Sequence, residues 1–127
     1  MKKLRLPFIS IICFCACFNE CLGQTSSQND YLTLISTIPL PNVAGRIDHL
    51  SYDSERQQVF VAALGNNTVE VVDLNNKKVI HTLKNFSEPQ GIKFIPDRKV
   101  FVVANGGNGE CDLINTASFQ KESSVKL

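Results

Sequence analysis

The chain has 127 residues, five cysteines and a formal net charge of +1, room for one small domain. That charge gives no field that would favour nucleic acid or an acidic membrane surface. No basic cluster or nucleic-acid-binding signature follows the first few residues.

Lys2, Lys3 and Arg5 form a positive start, and residues 6–18 are apolar apart from Pro7 and Ser10. The small Gly23 before Gln24 completes the pattern of a secretory signal over residues 1–23. The apolar run falls short of the ~20 residues needed to span a bilayer, so no membrane span is expected. An exported protein is implied, periplasmic or extracellular. The alternative is an envelope lipoprotein anchored through Cys17 or Cys21. Without residues 1–23, ten basic and eleven acidic residues remain, a net charge of about −1. Cys111 is then the one cysteine left, so no internal disulfide can form, and it reads as a small hydrophobe on a strand.

Residues 24–30 are polar and read as a linker. Residues 31–38 alternate as a lone strand, stopped by Pro39 and Pro41, which cannot donate to a ladder. A polar loop then leads through Arg46, Asp48 and His49 into a short strand holding Ile47, Leu50 and Tyr52. After a turn, Val59, Phe60, Val61, Ala62 and Ala63 form an apolar strand. Gly65, Asn66 and Asn67 supply a hairpin turn, since Gly and Asn tolerate positive φ. Residues 68–73 alternate as the next strand, and residues 77–83 form a fourth.

The cycle then restarts. Ser87 to Gly91 form a leading loop that includes Gln90, and four more strands follow to Val125. Aligning Val59-Phe60-Val61 with Val100-Phe101-Val102 gives an offset of 41, whereas Leu50 with Ile92 and Tyr52 with Phe94 needs 42. Four strands repeating every 40–45 residues are the signature of a β-propeller blade. No segment keeps a helical period, so the fold class is all-β, with four-stranded antiparallel blades at residues 47–83 and 90–125.

These hairpins resemble the YVTN-repeat bacterial β-propellers. In that family an apolar strand ending near Thr-Asn is followed by a turn and then Val-x-Val-Ile-Asp. Val59 to Ala63 and Val69-Glu70-Val71-Val72-Asp73 match this, and Val100 to Asn105 match its first half. Asp112 departs from it, standing where the pattern has an apolar residue. Propellers close with about four to eight blades and this chain supplies two, so the resemblance implies an incomplete ring from a truncated or partial protein. Self-assembly through open blade edges is the other way to close it.

Arg46, Asp48, His49 and Gln90 are the candidate ligand-binding residues, because loops leading into propeller blades lie near the central channel. Arg46 suits an anion, His49 proton transfer or a ligand bond, and Gln90 orientation. The plainer reading is that Asp48 and His49 bond backbone groups and pin one blade to the next. Two histidines far apart form no metal cluster, so no metal and no cofactor are expected. Residues 105–109 are rich in Gly and Asn but feed no helix, so they read as a turn and not a phosphate cradle. No serine sits in a Gly-x-Ser-x-Gly elbow.

The expectation is therefore an exported propeller unit that binds a small molecule, glycan or protein without catalysis. Its alternatives are the opening blades of a propeller enzyme, such as a lactonase or quinoprotein-like oxidoreductase with its site in further blades, or a non-functional remnant.

Overall fold

The computed structural model describes residues 32–127. The signal, the linker, Cys17 and Cys21 lie outside the described residues.

Two antiparallel sheets follow one another along the chain. The first holds β1 (Leu50–Asp53), β2 (Gln58–Ala63), β3 (Thr68–Asp73) and β4 (Lys78–Leu83). The second holds β5 (Pro89–Ile95), β6 (Val100–Asn105), β7 (Glu110–Asn115) and β8 (Lys121–Lys126). Strand order follows chain order in both, so each is a simple meander. This is the four-stranded blade expected from the repeat, with bounds shifted slightly to 50–83 and 89–126.

The period is 42 throughout. Gln58 pairs with Asp73 in the first sheet, and Val100 pairs with Asn115 in the second. The left-handed residues that close the turns recur at the same spacing. Gln57, Asn67 and Lys77 in the first repeat become Lys99, Gly109 and Phe119 in the second. The offset of 41 over the second strands is therefore corrected. The counterpart of Phe60 is Val102, and that of Phe101 is Val59. A slip of one residue exchanges the faces of a strand, so the two phenylalanines point to opposite sides of their own sheets.

That difference builds the core. Phe60 leaves the first sheet toward the second, and Phe101 leaves the second toward the first. Their rings stack with centroids 4.4 Å apart, and Phe94 lies 6.0 Å from Phe60. Ala62, Val69 and Val71 join from the first sheet, and Ile92, Val103 and Ile114 from the second. The apolar core is thus shared between blades. Burying each phenylalanine stabilises by about 1.5–3 kcal/mol. The Phe94 N–H donates to Ser51 Oγ at 2.8 Å, and the Glu88 N–H to Asn67 Oδ1 at 2.8 Å, fastening the second blade to the first.

Two expectations change. Residues 32–38 carry no strand, so the lone strand over 31–38 is not formed among the described residues. A strand is held by a partner edge, and no described edge pairs with this one. Ile38 and Leu40 instead line a groove with Leu50, Val59, Val61 and Val72, on the side of the first sheet away from the second. At the hairpin turn, residues Leu64–Asn66 form a 3-10 turn that ends on Asn67 at φ 57°. Asn67 uses the left-handed region as expected, but Gly65 does not. A Cβ on Gly65 would lie 2.9 Å from Ala44 O and Arg46 N, so the glycine permits a close approach of two backbones.

Candidate functional site

The segment that Gly65 admits is the one that carries Arg46, Asp48 and His49. Gly45 turns the chain at φ 79°. The Gly65 N–H then donates to Arg46 O at 3.0 Å, the Asp48 N–H to Ala62 O at 3.0 Å, and the Ala62 N–H to His49 O at 2.9 Å. These bonds continue the β1–β2 ladder beyond β1 and set the direction of each side chain.

Asp48 is the centre of the cluster. One carboxylate oxygen accepts from Arg46 Nη2 at 2.9 Å, and the other meets His49 Nδ1 at 2.9 Å. The Asp48 side chain is only 14% exposed, whereas Arg46 and His49 are each 67% exposed. Engaging Nδ1 orients the imidazole, and the side chain stays largely exposed. Beside His49 lies a hollow of about 290 Å³, lined by Gly91, Lys93, Val102 and Ala104. Gly91 is the counterpart of His49, 42 residues on, so the second repeat has no side chain where the first has an imidazole.

Gln90 is the counterpart of Asp48, but it does not join this cluster. Among the described residues no hydrogen bond links it to Arg46, Asp48 or His49. Its amide lies over Gly106, where an added Cβ would fall 2.4 Å from Nε2. The structure thus brings three of the four candidates together and places the fourth at the equivalent point of the next blade. Chemically, the trio can offer guanidinium N–H donors and an oriented imidazole to a polar or anionic group. Among the described residues no three His, Cys, Asp or Glu side chains gather as a metal site. Cys111 is half-buried on β7, opposite Ala104 and Val125.

Sequence reasoning missed a second polar arrangement, buried and repeated. Glu70 on β3 is 2% exposed and accepts from the hydroxyls of Thr68 and Thr82. Asp112 on β7 is also 2% exposed and accepts from Ser124, from Asn105 Nδ2 at 2.9 Å and from Lys121 Nζ at 3.0 Å. Burial alone would raise the Asp112 carboxyl. The hydrogen bonds from Ser124, Lys121 and Asn105, with the Lys121 charge, outweigh it and hold the group below its ordinary value. Glu70 with Thr82 and Asp112 with Ser124 are related by the 42-residue period. Asp112 is therefore no departure from the repeat; it is the second copy of Glu70. The signal was present in the sequence and shows once the offset is 42.

The turn after each third strand repeats too. Asp73 accepts from the Asn76 N–H at 2.8 Å, and Asn115 from the Ser118 N–H at 3.0 Å.

No protein-family model matches the chain, and the comparison with curated proteins gives no match. Solved structures do resemble it. Hydrazine synthase of Kuenenia stuttgartiensis matches with a TM-score of 0.57 and 29% identity, over 61% of this chain and 23% of that one. Sqt1 of Saccharomyces cerevisiae gives 0.57 at 14% identity, over 63% and 20%. Apo AztD of Citrobacter koseri gives 0.56 at 15% identity, over 65% and 24%. The chain is matched to about a quarter or less of each structure. The fold is that of incomplete β-propeller blades: two four-stranded antiparallel sheets and, among the described residues, no closed ring.

Proposed function

We propose that the chain supplies two blades of an exported propeller of the YVTN-repeat kind, and that it acts as a binding surface without catalysis. The observation that carries the reading is the Asp48 carboxylate holding Arg46 and His49 at 2.9 Å each beside an open hollow. The ligand chemistry that fits is a small polar molecule with an anionic group, met by Arg46 and by the His49 ring. Gln90 repeats the Asp48 position and would present an amide where the next blade meets the channel. Export is supported by Lys2, Lys3 and Arg5 ahead of the apolar run; a mature chain beginning at Gln24 would agree with it.

The test is an NMR titration of the full chain with inorganic phosphate and with succinate, following the His49 ring. Saturable shifts that disappear in Arg46→Ala support the reading. Flat signals up to high millimolar concentrations of both probes overturn it.

One observation favours a second reading. The 29% identity is to a protein whose name is that of an enzyme, hydrazine synthase. These blades would then support a catalytic site built mainly by other parts of a larger protein, as in a lactonase or quinoprotein-like oxidoreductase. Loss of a parent protein's turnover in a His49→Ala variant, with its fold intact, would favour that reading.

A further inference from the structure

A second hollow lies between the two blades, where the end of β4 meets the turn from β7 to β8. Its volume is about 360 Å³, within the range of small-molecule pockets. Leu83 and Phe86 line it from the first blade and the loop after it, and Ile114 and Phe119 from the second. Phe86 and Ile114 are buried, and Leu83 and Phe119 pack against the same core. The Phe119 ring also meets the His81 ring at 4.3 Å. The floor is therefore apolar and held in place from both blades.

The rim is cationic. Lys84, Lys121 and the amide of Gln120 complete the lining, and no Asp or Glu belongs to it. Lys121 Nζ is anchored 3.0 Å from the Asp112 carboxylate. An ammonium has three donors, so two of its N–H groups remain for a ligand. Lys84 is exposed and, among the described residues, forms no ion pair. The hollow thus sets an apolar floor beside one anchored and one unmatched positive charge.

We propose that this cleft binds a small carboxylate with an apolar body, its ring or chain on Phe86, Ile114 and Phe119 and its carboxylate between Lys84 and Lys121. The charges decide the sign of the ligand. A neutral molecule would leave Lys84 unmatched, and a cation would face two ammonium groups. An apolar cavity of about 150 Å³ accepts one benzene ring, so a benzoate fits here with room to spare. The site goes beyond the binding reading above, since it uses none of Arg46, Asp48, His49 or Gln90.

The test is an NMR titration of the full chain with benzoate, following the Leu83 and Ile114 methyls and the His49 ring together. Benzyl alcohol and benzylammonium, of similar size, serve as the neutral and cationic controls. Saturable shifts of both methyls with benzoate are expected, with much weaker ones for either control. Lys84→Ala is expected to weaken benzoate by about fivefold, the upper range for an exposed ion pair, and Lys84→Arg to keep it. Lys84 is exposed, so both variants are expected to retain the fold. Flat methyl signals at high millimolar benzoate overturn the proposal. Equal shifts with benzyl alcohol, or an unchanged affinity in Lys84→Ala, overturn it as well, because the hollow would then not select for charge. Shifts confined to the His49 ring assign benzoate to the other site and overturn it too.

Discussion

Glu70 and Asp112 hold the same place in successive blades. Each is buried on the third strand, and each accepts a hydroxyl from the fourth strand, Thr82 in one case and Ser124 in the other. A carboxylate in a β-sheet is tolerated only when donors replace its lost water. The paired hydroxyl supplies one donor in both blades, and the remainder differ. Glu70 adds Thr68, whereas Asp112 adds Asn105 and the Lys121 ammonium.

Removing one of these donors leaves a buried acceptor short. Thr82→Val keeps the volume and deletes the hydroxyl beside Glu70. The expected loss is about 1–3 kcal/mol in urea unfolding. Ser124→Ala is expected to cost less, because Asp112 keeps Asn105 and Lys121. Wild-type stability in Thr82→Val would contradict the buried bond.

Asp112 also sets an acid dependence. Against the upward push of burial, its hydrogen bonds and the Lys121 charge bring it below its ordinary 3.8. A carboxyl lowered by folding adds stability above its unfolded value and loses that stability as pH falls through the folded one. Asp112→Asn is therefore expected to destabilise the protein near pH 7 and to flatten the loss of stability below pH 3.8. Asp73 is also lowered, chiefly by the Asn76 backbone N–H, so some acid slope remains. Thermal melts from pH 7 to pH 2 check this. An unchanged acid slope in the variant would contradict it.

Gly65 supports the candidate site from beneath. A methyl group there would lie 2.9 Å from two backbone atoms of the segment that bears Arg46. Gly65→Ala is expected to cost about 1–3 kcal/mol, the usual range for overpacking. The same variant should speed hydrogen exchange at the Asp48 amide, which the ladder to Ala62 protects. Full protection at Asp48 would show that the segment does not depend on this glycine.

The strands, their order and the repeat were legible in the sequence, because short β-branched runs between Gly, Asn and Pro leave few other readings. The register was not. Val59-Phe60-Val61 matches Val100-Phe101-Val102 letter by letter at 41, and both faces of each strand are apolar, so hydrophobicity does not choose between the two offsets. The turns do choose, through Asn67 and Gly109 or Lys77 and Phe119, but only their backbone shows it. The strand over 31–38 has the composition of a strand, while pairing belongs to the partner edge and not to the segment itself. At the site, Arg46, Asp48 and His49 meet because they are close in sequence on one extended segment. Gln90 lies on the next sheet, and a sequence offset gives equivalence of position but not contact.

A core shared between the blades joins the two sheets, and the Phe60–Phe101 stack is its centre. Both rings are fully buried and lie on different sheets. Phe60→Ala and Phe101→Ala are each expected to lose about 3–5 kcal/mol. The deciding measurement is the double-mutant cycle in urea unfolding. A coupling of about 0.5–1.5 kcal/mol between the two changes is predicted for stacked rings. Simple additivity would place the phenylalanines in separate cores, and the shared core with its 42-residue register would fall with it.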